Sequence, residues 1–419
     1  MKIGFNKVDI TPPVGIRLGG YAHRYGRPSE KVHDPLYAGV VIFESGENIV
    51  AIIFSDLLGI NKTFSNRVKD RISGKIGIRR ENIMFTTIHN HSAPETIIPM
   101  WPNTFPYSRK EKNVLDRWMR EMEDKIVDSA ERAFQNLDKG YIKMGKGRVS
   151  DISYNRSFKN GVIDPDLTYL YIFSGGERIV ISNFACHPVC NIDLGISADY
   201  PGNFSQKLFK RGIINFFTTG CTGDIDPLKK GREFIEYMGS RLLSTFFHTI
   251  ENVSELKNSQ LKISSREIEL KFRDPPDLET AEKRFREIYK KCIDKIEEEK
   301  CFVDLLYADE ELAIARENRR STKTLIQGFS MGGEFLFITI PGEMFAEIGL
   351  EFKRRSYENG FKHIIISNYS NDYIGYIPIQ RAFHLNTYET RLARWSRVTE
   401  DAEKIFLDKM TKLMNDLKL

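Results

Sequence analysis

From Lys110 to Leu137 the apolar residues Leu115, Trp118, Met122, Ile126, Ala130, Ala133 and Leu137 recur at spacings of three and four. That stripe predicts a long amphipathic helix. Elsewhere the apolar runs are shorter. Gly39 to Phe43, the turn Ser45-Gly46-Glu47-Asn48 and Ile49 to Phe54 read as a hairpin of buried strands. A helical stretch from about Asn61 to Ser73 leads to a β-prone run, Asn82 to Ile88, that ends at His89. Strands are expected at Leu167 to Phe173, Ile179 to Ala185 and Ile214 to Thr218, with a helix from about Asn203 to Arg211. This alternation predicts an α/β fold. Residues 279–320 interleave Glu, Lys and Arg with Phe285, Ile288, Ile293, Ile296, Leu305 and Leu306, and predict two charged helices forming a solvated hairpin. Strand-like runs return at Phe335 to Ile340 and His363 to Ser367, before a final helix from about Val398 to Leu417. No internal repeat or low-complexity tract interrupts the pattern.

Composition narrows the function. The chain has 419 residues, 41% hydrophobic and 11% aromatic, enough for a large core and at the upper edge of one large domain or two. Its 62 Lys and Arg oppose 57 Asp and Glu, mixed throughout, so a net charge of +5 makes no concentrated basic field and nucleic acid is not implied. No apolar run approaches the roughly 18 residues that span a bilayer, and the start, MKIGFNKVDITPPVG, lacks the apolar stretch of a secretory signal. Five thinly spread cysteines, Cys186, Cys190, Cys221, Cys292 and Cys301, fit a reducing compartment. A soluble, cytoplasmic protein is the expectation. Cys186 and Cys190 flank His187, but no second pair completes a thiolate zinc set, and buried free thiols are the preferred reading.

The candidate chemistry gathers where strands end. Thr87-Ile88-His89-Asn90-His91-Ser92-Ala93-Pro94 places two histidines one residue apart at the end of a β-run, able to share one ion or to divide ligation and proton transfer. His187 follows Ile179 to Ala185, and Glu343 follows Phe335 to Ile340 through Pro341-Gly342. Ligand sites of α/β sheets gather at such ends, and mixed nitrogen and oxygen donors suit zinc. Two more loops share the look. Gly220-Cys221-Thr222-Gly223-Asp224-Ile225-Asp226-Pro227 carries two carboxylates, and Asn371-Asp372-Tyr373-Ile374-Gly375-Tyr376-Ile377-Pro378 carries tyrosines beside a glycine. Plain turn chemistry also accounts for Asp224, Asp226 and Asp372.

Read in order, these loops resemble the catalytic domain of the neutral/alkaline non-lysosomal ceramidase family. The resemblance runs through Asp9-Ile10-Thr11-Pro12-Pro13-Val14-Gly15, Gly20-Tyr21-Ala22, Ser55-Asp56-Leu57, His89-Asn90-His91-Ser92-Ala93-Pro94 and Asn155-Arg156-Ser157. It continues through Phe184-Ala185-Cys186-His187, Ser197-Ala198-Asp199, Gly223-Asp224-Ile225-Asp226-Pro227, Pro341-Gly342-Glu343 and Gly375-Tyr376-Ile377-Pro378. It implies one α/β domain over 1–419, with mixed β-sheets packed together and flanked by helices and a charged helical insertion at about 279–320. It also implies zinc held by His89, His187, Glu343 and Tyr376, with His91, Arg156 and Tyr388 assisting catalysis. Departures bear on the substrate. Asp226 stands where the family usually has serine, Glu95 stands where glycine usually follows the His-x-His motif, and the immunoglobulin-like C-terminal domain of the large ceramidases is not expected.

The resemblance therefore implies a zinc-dependent hydrolase of an N-acyl amide bond, with His91 as general base and acid and Arg156 and Tyr388 stabilising the oxyanion. Asp226 is expected to hold a polar or cationic group of a soluble or short-acyl substrate, and Asp56 to orient a ligand histidine. Two other readings share the residues. One is a metal-dependent esterase or phosphoesterase in which Asp224 and Asp226 recruit a second ion; the other is a non-catalytic metal-containing binding protein. The small-molecule N-acyl substrate is the expected partner, with a homo-oligomer open.

Overall fold

Two β-sheets packed face to face organise the chain. The computed structural model describes residues 1–385 and 387–419. The larger sheet has nine strands, whose main path runs Ile214–Thr219, Glu177–Phe184, Asp166–Ser174, Asp138–Arg148, Lys2–Asp9, Tyr37–Ser45, Asn48–Ser55, Ile83–Thr87. The smaller has four, in the order Leu261–Lys271, Ser321–Met331, Phe335–Thr339, His363–Ser367. Both sheets are mixed. The predicted hairpin forms in register, Ala38 opposite Ser55 and Ser45 opposite Asn48. Phe43, Phe329, Phe335, Phe337, Met331 and Ile365 fill the space between the sheets, an aromatic-rich layer consistent with two facing inner surfaces.

Eight α-helices flank the sheets among the described residues: α1 (Lys62–Ile76), α2 (Arg109–Gln135), α3 (Asp199–Phe209), α4 (Arg232–Thr249), α5 (Leu278–Cys292), α6 (Glu299–Glu317), α7 (Ala346–Glu358) and α8 (Ala402–Asp416). Asn61 caps α1 by accepting from the Phe64 amide, and Ser108 with Glu111 closes a capping box at the start of α2. The predicted stripe of α2, including Trp118, Met122, Ile126, Ala130 and Ala133, is buried in the same core as Val40, Ile42 and Ile53. None of the described helices is long and apolar enough to cross a membrane.

The hairpin at 278–317 departs from expectation. Helix α5 buries only Ala281 and Cys292, as a solvated helix should. Helix α6 buries eleven residues, Asp309 and Glu310 among them. Asp309 accepts from the Asn103 and Thr104 amides and the Thr104 hydroxyl, while Glu310 takes a two-pronged ion pair from Arg394. Acidic residues read as solvent-facing are thus satisfied inside, where charge-assisted hydrogen bonds offset the loss of water. Phe302 of α6 packs against Trp101, so this helix braces the 95–107 loop and the chain around Trp395.

What positions the site is the parallel pairing. Asn48–Ser55 pairs parallel with Ile83–Thr87, Glu177–Phe184 with Ile214–Thr219, and Phe335–Thr339 with His363–Ser367. The carboxyl ends of these strands open into His89, His187, Thr222, Glu343 and Tyr369. Both sheets therefore deliver chemistry to one place.

Candidate metal centre

His89, His187 and Glu343 converge, all buried, with one donor atom from each lying within 4.8 Å of the others. His187 Nε2 is 2.9 Å from Glu343 Oε2, and His89 Nε2 is 3.4 Å from the same oxygen. Each imidazole is fixed from behind. The Leu58 carbonyl accepts from His89 Nδ1 at 2.8 Å, and the Ile225 carbonyl accepts from His187 Nδ1 at 2.9 Å. Protons held at Nδ1 leave both Nε2 lone pairs directed at the carboxylate. Burial pushes the His89 pKa down to about 4, favouring neutral imidazole. Burial alone would raise Glu343, but His89 and His187 pull its pKa down to about 2. Two imidazole nitrogens around an anionic oxygen form a donor set that could hold a divalent ion.

Tyr376 stands beside this group, opposite Glu343 in a two-residue parallel ladder, and lines the same small cavity of about 30 Å³ with Tyr388, His91 and Trp395. Its hydroxyl accepts from Arg156 Nη2 at 2.8 Å. Arg156 is itself clamped by Glu389 at 2.8 Å, Asp226 at 2.9 Å and the Gly223 carbonyl at 3.1 Å. His91 differs from its neighbours, because neither of its buried ring nitrogens has a hydrogen-bond partner among the described residues. Burial, then His89 and His187, holds its pKa well below the ordinary value, so the imidazole is kept neutral. Gly20 permits this placement. A Cβ there would meet His91 Nδ1 at 2.4 Å, and its φ of +81° lies in the left-handed region. Tyr388 sits at the rim, 44% exposed, its ring near Tyr376 and Trp395.

Residues 1–167 match the family model described as neutral/alkaline non-lysosomal ceramidase, N-terminal. The fold agrees. A crystal structure of neutral ceramidase from Pseudomonas aeruginosa superposes with a TM-score of 0.77 at 20% identity, covering 100% of this chain and 75% of that one. A ceramidase complexed with C2 gives 0.75 at 18% identity, covering 100% and 76%. The chain shares the fold of these ceramidases, and its first 167 residues match the family model.

Some residues around this site depart from expectation and others meet it. Asp226 is already paired, with Arg156 Nη1 at 2.9 Å and Lys230 Nζ at 3.3 Å, and these cations outweigh burial to lower its pKa. The premise of an unpaired carboxylate seeking a cation from substrate does not hold. Asp224 accepts from the Ala346 amide on Oδ1 and from Asn155 Nδ2 on Oδ2, so both its oxygens are engaged in holding the loop. Asp56 does not orient a ligand histidine: it accepts from the Tyr37 amide, and the Leu58 carbonyl performs the orienting role. Glu95 is buried, accepts from the Met100 amide, and is raised by burial to about 7, so it braces the 95–107 loop. Asp372 receives the Lys62 amide and the Thr324 hydroxyl, consistent with turn chemistry. All five cysteines are buried and free, and none joins the metal group.

Two tyrosines escaped the sequence reading of roles. Tyr369 stacks on His89 with centroids 4.0 Å apart and planes 2° from parallel, and its hydroxyl reaches Glu343 Oε2 at 3.2 Å. Tyr373 donates to Glu343 Oε1. Tyr373 lies in a loop singled out for its tyrosines; Tyr369, at a φ of +57°, lies outside every such motif and is held by backbone bonds to Thr87 and Gly342.

Proposed function

We propose that this protein is a single-zinc hydrolase of an N-acyl amide bond, with His89, His187, Glu343 and Tyr376 as the ligands. The observation that carries the reading is the paired Nε2 atoms of His89 and His187, locked by carbonyls behind them and aimed at one buried carboxylate. Bound there, zinc would supply the Lewis acidity that polarises an amide carbonyl and makes water nucleophilic near neutral pH.

The chain's own groups do the rest. His91 takes the proton of the attacking water on a ring nitrogen and returns it to the departing amine. Arg156 fixes the Tyr376 hydroxyl, and the free phenol of Tyr388 donates to the oxyanion from the rim. Ile97, Ile98, Met100 and Trp395 wall the small cavity with apolar surface. That confinement supports a short acyl group on a soluble amine, and the free thiols support a cytoplasmic setting. A two-ion esterase is disfavoured, because His89, His187 and Glu343 are the one such donor group among the described residues.

Elemental analysis of the purified protein tests the metal, with one zinc per chain expected. A panel of N-acyl amino acids, N-acetylated amino sugars and ceramides tests the substrate. Highest kcat/KM on long-chain ceramide would overturn the short-acyl reading, and a folded, inactive, zinc-free protein would overturn the site.

A further inference from the structure

A second cleft, sharing no lining residue with the metal cavity, opens between the larger sheet and α3. It has a volume of about 610 Å³ and is lined by Phe5, Lys7, Tyr37, Asp56, Phe209 and Ile214 among others. That volume falls within the range of small-molecule sites, roughly 300 to 1,000 Å³. Lys7, Tyr37 and Asp56 come from neighbouring strand edges: Lys7 pairs with Gly39 and Ser55 with Ala38, which brings the three side chains to one face.

Of the four charged residues lining the cleft, Lys7, Asp56, Glu177 and Lys210, the two on the sheet floor, Lys7 and Asp56, are left apart. Lys7 Nζ donates to the Asn215 carbonyl at 3.0 Å and lies 4.9 Å from the Tyr37 ring centroid. Asp56 Oδ2 accepts from the Tyr37 amide, and its Oδ1 has no donor among the described residues. Neither side chain forms an ion pair with the other or with any further charged group among the described residues. Burial depresses the Lys7 pKa and raises that of Asp56 to about 6, each shift offset in part by the other's charge. Separated opposite charges on the walls of a cleft are best satisfied by a ligand that carries both complements. Phe5, Phe209 and Ile214 supply apolar contact beside them, Phe209 standing 70% exposed at the mouth.

We propose that this cleft binds a small zwitterion, a free α-amino acid with an apolar side chain, its carboxylate on Lys7 and its ammonium on Asp56. The site lies outside the hydrolytic centre and does not depend on the reaction assigned to it.

Calorimetric titration of the full chain with L-phenylalanine and L-leucine is the test, with 3-phenylpropanoate and 2-phenylethylamine as probes lacking one charge. Saturable one-site binding of an amino acid is expected, at least tenfold tighter than either probe. Glu343→Gln should leave it unchanged, which separates this cleft from the metal cavity. Lys7→Met and Asp56→Asn should each weaken it tenfold or more. Should those variants fold poorly, Gln206→Trp on α3 fills the cleft from its wall and should abolish binding. Absence of binding, equal binding of a singly charged probe, survival in Gln206→Trp, or loss in Glu343→Gln would each overturn the proposal.

Discussion

Glu343 and Glu310 are buried to nearly the same degree, 1% and 0% exposed, in two regions with opposite chemistry. Glu310 is met by a permanent cation: Arg394 contacts it through Nε at 2.9 Å and Nη2 at 2.6 Å, and the Arg394 amide adds a third bond. The guanidinium has no lone pair to offer an ion. Glu343 is met by His89, His187, Tyr369 and Tyr373, two imidazoles and two phenols, with no guanidinium or ammonium group among them. No permanent cation such as a guanidinium contacts it among the described residues, and a divalent ion bound there would supply that charge. A buried acid with a guanidinium partner braces a fold, whereas one ringed by imidazoles and phenols is poised as a ligand.

The contrast is sharpest in the response to losing each acid. Glu343→Gln keeps the shape but removes the charge, so zinc content should fall to background and activity by about 10³-fold or more, the several kcal/mol of charge stabilisation a catalytic ion supplies. The fold should survive. Metal analysis with a thermal melt checks this, and retention of stoichiometric zinc would place the site elsewhere.

Glu310→Ala should do the reverse, leaving Arg394 buried and uncompensated at a cost of about 3 to 5 kcal/mol of stability. Chemical denaturation measures it. Zinc should still bind in the protein that remains folded, since no atom of Glu310 touches the ligands. A loss below about 1 kcal/mol would mean that Arg394 finds another partner.

Between these lies His91, which shares the metal pocket and is expected to act without ligating. His91→Ala should retain zinc while hydrolysis drops by about 10²-fold or more, the usual contribution of a general acid-base group. Loss of zinc would make His91 a ligand and collapse the division of labour with His89.

Much of this contrast was legible in the sequence, and the rest fails for physical reasons. The strand ends at His89, His187 and Glu343 could be read because each follows a buried parallel strand, a continuous apolar run with a sharp exit. The strands Leu261–Lys271 and Ser321–Met331 give a weak apolar signal because the first carries Lys262, Arg266, Glu267, Glu269 and Lys271, and the second begins with the polar run Ser321 to Thr324. Helix α6 was misread as solvated because a charge in a sequence carries no mark of its partner: Arg394 lies 84 residues from Glu310. Tyr369 was invisible for the same reason, since its stacking on His89 joins segments distant in the chain.

The smallest expected effect closes the comparison on the outer helix of the same hairpin. Glu282 of α5 meets Arg316 of α6 at 3.4 Å, with side chains 36% and 54% exposed. Water screens this pair, and holding two long side chains in one geometry costs entropy, so exposed pairs contribute only about 0.2 to 1 kcal/mol. Arg316 also keeps its 2.6 Å bond to Asn103 when the glutamate is removed, so no charge is left stranded. Glu282→Ala should therefore shift stability by less than about 0.5 kcal/mol and leave zinc content and hydrolysis unchanged. Set beside Glu310→Ala in one denaturation series, it asks whether burial and permanent pairing, rather than membership of a charged hairpin, make an acid structural. A loss above about 1.5 kcal/mol from Glu282→Ala would show that α5 anchors the brace, and that the solvated and buried faces of this hairpin are less distinct than their exposures indicate.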